Sequence, residues 1–174
     1  EKTNSKIEVI PVEKIKAGTN TGEVVGEQLT IADHSLKIMG NEVEDQSFDI
    51  TLNGFGDVRF ITFRYEQKIN FYLTKESGVI YKFPTFENEW NNEEVIAIGF
   101  PDVNGDGKKD VIVMATYITG IGRDGVVPFP VNKIYLRTDT AFSLDDSINE
   151  QLSELEFKTL VSIKKFALNY YSKQ

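Results

Sequence analysis

From Phe48 the chain alternates apolar and polar positions, with Phe48, Ile50 and Leu52 on one side, until Asn53-Gly54-Phe55-Gly56-Asp57 leads into the apolar run Val58 to Tyr65. A period of two, closed by Asn, Gly and Asp, predicts a β-hairpin. Ile69 to Leu73 and Val79 to Phe83 read as two further strands, with Glu76-Ser77-Gly78 turning the chain between them, so this stretch is an antiparallel meander of hairpins. Val95 to Phe100, Val111 to Tyr117 and Asn132 to Arg137 continue the series of strands. Upstream the pattern is weaker. Ile7 to Val12 is interrupted by Pro11, and a second apolar stretch runs near Leu29 to Met39, which gives two weak strands. Residues 1–22 read as an N-terminal arm or tether, and 23–174 as a single β-rich domain.

At Ser143 the period changes. Ile148, Leu152, Leu155, Ile163, Phe166 and Tyr170 recur at helical spacing through Tyr171, with Ser147 and Glu150 in a capping-box arrangement and Asp145-Asp146 placing negative charge at the helix start. The predicted fold class is α+β: a mainly antiparallel sheet with a C-terminal amphipathic helix packed on it.

Between two of the strands lies Asp102-Val103-Asn104-Gly105-Asp106-Gly107-Lys108-Lys109-Asp110, with oxygen-bearing side chains at loop positions 1, 3, 5 and 9. A hard cation such as Ca²⁺ takes about six to eight oxygens, and alternate residues of a tight loop can all aim at it. The expected ligands are Asp102, Asn104, Asp106 and Asp110, with Lys108 contributing its backbone carbonyl while its ammonium points away into solvent. An EF-hand is excluded. Position 12 is Val113, and the flanking sequence forms strands rather than helices.

Phe100 with Asp102 to Val113 resembles the calcium loop of FG-GAP repeats, also called VCBS-type repeats, found between strands of the integrin α-chain β-propeller. The likeness covers under a tenth of the chain and implies bound calcium. One copy followed by Met114-Ala115-Thr116 cannot supply the blades of a full propeller. The wider stretch from Leu52 to Gly56, through Tyr117 to Gly122 and Pro128 to Val131, is similar to small secreted or lipid-anchored proteins of Gram-positive bacteria. That similarity implies an extracytoplasmic setting and no particular reaction.

Composition narrows the alternatives. The 174 residues carry a net charge of −8, which argues against nucleic acid as a partner, since phosphate binding draws on clustered Lys and Arg. Cysteine is absent, so disulfides and thiolate chemistry are excluded. No apolar run is long enough for a transmembrane segment, and the polar start Glu1 to Lys6 fits a tether downstream of a lipid anchor or a removed signal. Millimolar calcium outside cells suits a module of weak affinity.

Gly120-Ile121-Gly122-Arg123-Asp124-Gly125 matches a dinucleotide fingerprint in letters, but Val126-Val127-Pro128-Phe129-Pro130 cannot open the helix that such a site requires. It reads as a hairpin loop and a candidate partner-binding surface, with Gly120, Gly122, Arg123 and Phe129 as its contact residues. His34 is the sole histidine and is expected in a solvent-facing turn; no nucleophile-elbow motif occurs in the chain. Glu93-Glu94 is expected to be solvated. Trp90, in a polar loop, is expected as a lid on the core.

These features predict an extracytoplasmic calcium-binding domain, monomeric, in which a structural Ca²⁺ stiffens the hairpin near the Gly120 to Gly125 loop and presents a surface to a protein or glycan. The alternative is a small metal- or carboxylate-dependent hydrolase, which would bring His34, Arg59 or Arg64 beside the calcium loop. A third expectation is an inhibitor-like protein that uses residues 118–130 as a plug.

Overall fold

The computed structural model describes residues 24–25, 27–28, 40–76, 78–85 and 90–174. The expected N-terminal arm 1–22, the apolar stretch Leu29 to Met39 and His34 lie outside them.

Among the described residues, eleven strands form two sheets. One has the order β1 (Val24–Val25), β11 (Phe142–Leu144), β10 (Phe129–Arg137), β9 (Val111–Ile118) and β8 (Asn91–Gly99). The other runs β2 (Glu27–Gln28), β7 (Gly78–Lys82), β6 (Lys68–Lys75), β5 (Gly56–Tyr65) and β3 (Asn41–Glu42), with β4 (Phe48–Leu52) sharing the β5 edge beside β3. Every pairing is antiparallel. The predicted hairpin is present as β4 and β5, with Phe48 opposite Phe60 and Leu52 opposite Gly56.

The alternation has a direct structural consequence. Phe60, Phe71, Leu73, Tyr81 and Phe83 from the first half of the chain meet Val111, Val113, Ala115, Tyr135 and Phe142 from the second in one core between the sheets. Edge-to-face rings knit it together, among them Phe60 on Phe83 at 5.3 Å and Phe83 on Tyr135 at 5.3 Å between centroids. Tyr81 and Tyr135, buried on this face, give their hydroxyls to the carbonyls of Phe142 and Pro84. The outer face of the β8–β11 sheet carries Ile112, Met114 and Ile134, which form a second core with the C-terminal helices. The molecule is α+β, with a helical layer on one side of a two-sheet stack, and among the described residues there is no closed barrel or propeller.

The single helix predicted from Ser143 to Tyr171 is two helices, α1 (Asp146–Ser153) and α2 (Leu160–Tyr171). A continuous helix over that stretch would be about 43 Å long at 1.5 Å per residue. The strands beneath it span roughly 26–30 Å. The chain breaks after Ser153, tucks Phe157 against Phe166, and restarts at Thr159, whose hydroxyl accepts from Ser162 N–H at 3.1 Å. The first cap also differs from the predicted capping box: Asp145, not Ser147, caps α1 and accepts from the N–H groups of Ser147 and Ile148 at 3.0 and 3.3 Å. Asn149 then uses α1 to satisfy the edge of β10, accepting from Ile134 N–H at 2.8 Å and donating to Ile134 C=O at 3.0 Å. Among the described residues no helix is long and apolar enough to cross a membrane.

Candidate metal centre

The oxygen-rich loop joins β8 to β9 in the sheet that carries the helices. It is tied at its neck, where Asp110 N–H donates to Pro101 C=O at 2.8 Å. Val103 is fully buried among the residues of the helix-side core and pins the loop from within. One apolar residue between Asp102 and Asn104 is the sequence signal for this anchor, because a loop that only turned in solvent would have no use for it.

Above the anchor the backbone wraps around the side chains of positions 1, 3 and 5. The Asp102 carboxylate accepts from Gly105 N–H at 2.7 Å through one oxygen and from Gly107 N–H at 2.8 Å through the other. Asn104 accepts from Asp106 N–H at 3.2 Å, and Asp106 from Lys108 N–H at 2.9 Å. Gly105 and Gly107 have φ of +81° and +80°, the left-handed region that lets the chain coil this tightly without a Cβ clash. The donor set consists of carboxylate, amide and carbonyl oxygens, the chemistry that a hard divalent cation takes.

Asp110 sits differently. It is fully buried, and its oxygens accept from Val103 N–H at 2.8 Å and Arg137 N–H at 2.7 Å. Burial pushes its carboxyl up to about 6, the two N–H bonds pull the other way, and the charges of Asp106 and Asp102 add to the upward push. The carboxylate braces the loop to the end of β10. Each carboxylate oxygen has two acceptor directions, so an N–H bond to it leaves one open. Among the described residues, no three carboxylate, imidazole or thiolate side chains converge as a ready-made metal cluster.

Lys108 departs from expectation. Its ammonium does not point away into solvent but folds back, 2.9 Å from Asp139 Oδ1 and 3.5 Å from Asp106 Oδ2. The reason is electrostatic: a cation on a flexible stem settles where carboxylates from two segments lie together.

At this end of the sheets the loop meets the β4–β5 turn and the β10–β11 turn. Arg137 fastens the latter two. Its guanidinium donates to Asn53 C=O at 2.7 Å, Ala141 C=O at 2.6 Å and Asp139 C=O at 3.0 Å, and lies over Phe55 and Phe142 at 4.5 and 5.1 Å. Lys109 reaches the same region, donating to Thr51 C=O at 3.2 Å. Neither Arg137 nor Asp139 stands out in the sequence, since each lies about thirty residues from the loop and has no motif around it.

The Gly120 to Gly125 loop is at the other end. It follows the end of β9 at Ile118, whereas the oxygen-rich loop enters β9 at Val111, and eight residues of strand separate the two by about 26 Å. The two loops therefore lie at opposite ends of β9. The Gly120 to Gly125 loop is closed by its own bonds: Gly120 N–H donates to Gly125 C=O at 2.8 Å and Val127 N–H to Asp124 C=O at 3.0 Å, with no helix following. Gly120, Gly122 and Arg123 are exposed, whereas Phe129 is half-buried beneath Trp90, whose ring meets it edge-on at 4.9 Å. Trp90 thus covers part of the core and stays 40% exposed.

The arginines expected in a hydrolase are placed elsewhere. Arg59 pairs with Glu42 at 2.9 Å and Asp49 at 3.3 Å. Arg64 is at the Trp90 end, donating to Asn92 Oδ1 at 2.9 Å and Glu93 C=O at 3.2 Å. Compared with protein-family models, curated proteins and solved structures, the chain matches none. The likeness to an FG-GAP loop accordingly rests on Phe100 and residues 102–113 themselves.

Proposed function

We propose that this chain is an extracytoplasmic calcium-binding domain in which the cation is structural, and that the domain serves as an interaction module for a protein or glycan. The observation that carries the reading is the coiled loop, whose Asp102, Asn104 and Asp106 are already turned by backbone N–H groups at 2.7–3.2 Å on a base pinned by Val103. Asp102, Asn104, Asp106 and the Lys108 carbonyl would hold the ion from the solvent side, and Asp110 would close the set from below. A bound Ca²⁺ supplies the positive charge that offsets three carboxylates within nine residues.

Support for an interaction role comes from the opposite end. Ile121, Val126 and Val127 are 79%, 75% and 59% exposed on one loop, and Trp90 and Tyr65 lie at the same end of the sheets. Exposed apolar side chains gathered in one region mark contact surfaces. A partner would meet Ile121, Arg123, Val126, Val127 and Trp90, with Phe129 supporting them from beneath.

Isothermal titration calorimetry tests the cation. One Ca²⁺ site is expected, with Mg²⁺ much weaker because it demands near-ideal octahedral geometry, and binding is expected to vanish in Asp106→Ala. Titrations without heat or saturation for Ca²⁺ would overturn the reading.

A further inference from the structure

We propose that Lys108 and Asp139 form a counter-ion latch that sets the calcium affinity of the loop, an inference that rests on the calcium reading above. Residue 108 holds both oxygens of Asp106. Its backbone N–H donates to Oδ1 at 2.9 Å and fixes the carboxylate, while its ammonium lies 3.5 Å from Oδ2. The ammonium is thus an internal cation standing beside one of the oxygens that calcium needs.

Asp139 is the second mooring. Its carboxylate is 2.9 Å from the same ammonium, and it belongs to a turn tied by several hydrogen bonds. Arg137 bonds the backbone carbonyls of Asp139 and Ala141, and Thr138 closes the turn by accepting from Ala141 N–H at 3.0 Å. The side chains of Lys108 and Asp139 are 30% and 89% exposed, so the ammonium can swing about its flexible stem without disturbing the core. As calcium arrives, Lys108 leaves Asp106 and remains on Asp139 alone. The latch keeps the carboxylate compensated when calcium is scarce and lowers affinity, as a module for millimolar calcium requires.

The charges dictate the direction of each substitution. Lys108→Met removes a positive charge next to the ion, keeps the backbone carbonyl and should tighten calcium binding about tenfold. Asp139→Asn removes the mooring, returns the ammonium to Asp106 and should weaken binding roughly three- to tenfold. A purely electrostatic Asp139, one more negative charge near the site, would weaken binding equally with or without Lys108. The latch predicts instead that Asp139→Asn has little effect in the Lys108→Met background.

The experiment is a double-mutant cycle of Ca²⁺ dissociation constants by competition with a chromophoric chelator, with circular dichroism confirming the fold of each variant. Tighter binding in Lys108→Met, together with non-additivity in the double variant, supports the latch. An unchanged or weaker constant in Lys108→Met, or equal effects of Asp139→Asn in both backgrounds, overturns it and leaves the calcium site standing. Absence of calcium binding in all four proteins overturns the calcium reading and the latch together.

Discussion

Two aspartates of one loop have different work, and substitution separates them. Asp110 is buried and satisfies the N–H groups of Val103 and Arg137, so Asp110→Ala leaves two buried donors unpaired. That should cost about 2–4 kcal/mol with or without calcium. Asp106 is exposed, and Asp106→Ala in chelator should stay within about 0.5 kcal/mol of the parent. Urea denaturation of both variants in EDTA and in calcium resolves the two roles: Asp110→Ala loses stability in both buffers, Asp106→Ala only in calcium. The spacing of oxygens along residues 102–110 was legible because ligand geometry is local. The inward turn of Asp110 was not, because its partner Arg137 is placed by the pairing of β9 with β10.

At the scale of elements, hairpins were readable from alternation and turn residues, as in β4 and β5, which Asn53, Gly54 and Phe55 join so that Leu52 pairs with Gly56. The C-terminal helix was readable in period but not in length. Ile148 and Leu152 share their phase with Ile163, so the pattern alone runs straight through, whereas the chain breaks where Phe157 packs against Phe166 and Thr159 caps a second helix. Asp145 shows how much one cap can hold. Its Oδ1 receives two N–H groups of α1, and its Oδ2 accepts the Tyr171 hydroxyl at 3.0 Å, joining the start of α1 to the end of α2. Asp145→Ala should therefore destabilise by about 1–2 kcal/mol, whereas Ser147→Ala, which removes no cap bond, should change stability by under about 0.5 kcal/mol. Chemical denaturation distinguishes them, and equal effects would restore Ser147 as the cap.

Across the whole molecule, burial drives the phenols of several tyrosines upward. Tyr72 is pushed up to about 12, and Tyr117, Tyr135 and Tyr171 are raised further, with the Asp145 charge adding to burial at Tyr171. An unfolded tyrosine loses its proton near about pH 10. Above that pH the folded chain still holds protons that the unfolded chain has released, so stability falls as pH rises. The urea midpoint should drop steeply between about pH 9 and pH 12. A flat midpoint there would contradict the burial of these hydroxyls. The two ends of the sheets differ in character: the oxygen-rich loop, Arg137 and Asp139 lie at one, exposed apolar residues and Trp90 at the other. The strand read between the two loops already set them at opposite ends, but the arrival of Arg137 and Asp139 at one end and of Trp90 at the other depends on strand pairing and was out of reach of the sequence.

Calcium as a structural ion is the claim on which the rest depends, and a thermal melt in EDTA, in millimolar Ca²⁺ and in millimolar Mg²⁺, run beside Asp106→Ala, tests it most directly. With free calcium about 10- to 100-fold above Kd, the gain is about 1.4–2.7 kcal/mol. For a chain of this size that corresponds to a rise in Tm of roughly 3–10 °C. The rise should be specific to calcium and absent in Asp106→Ala. Identical melts in all three buffers would contradict the account and leave the loop as a turn of Asp, Asn and Gly held by its own backbone.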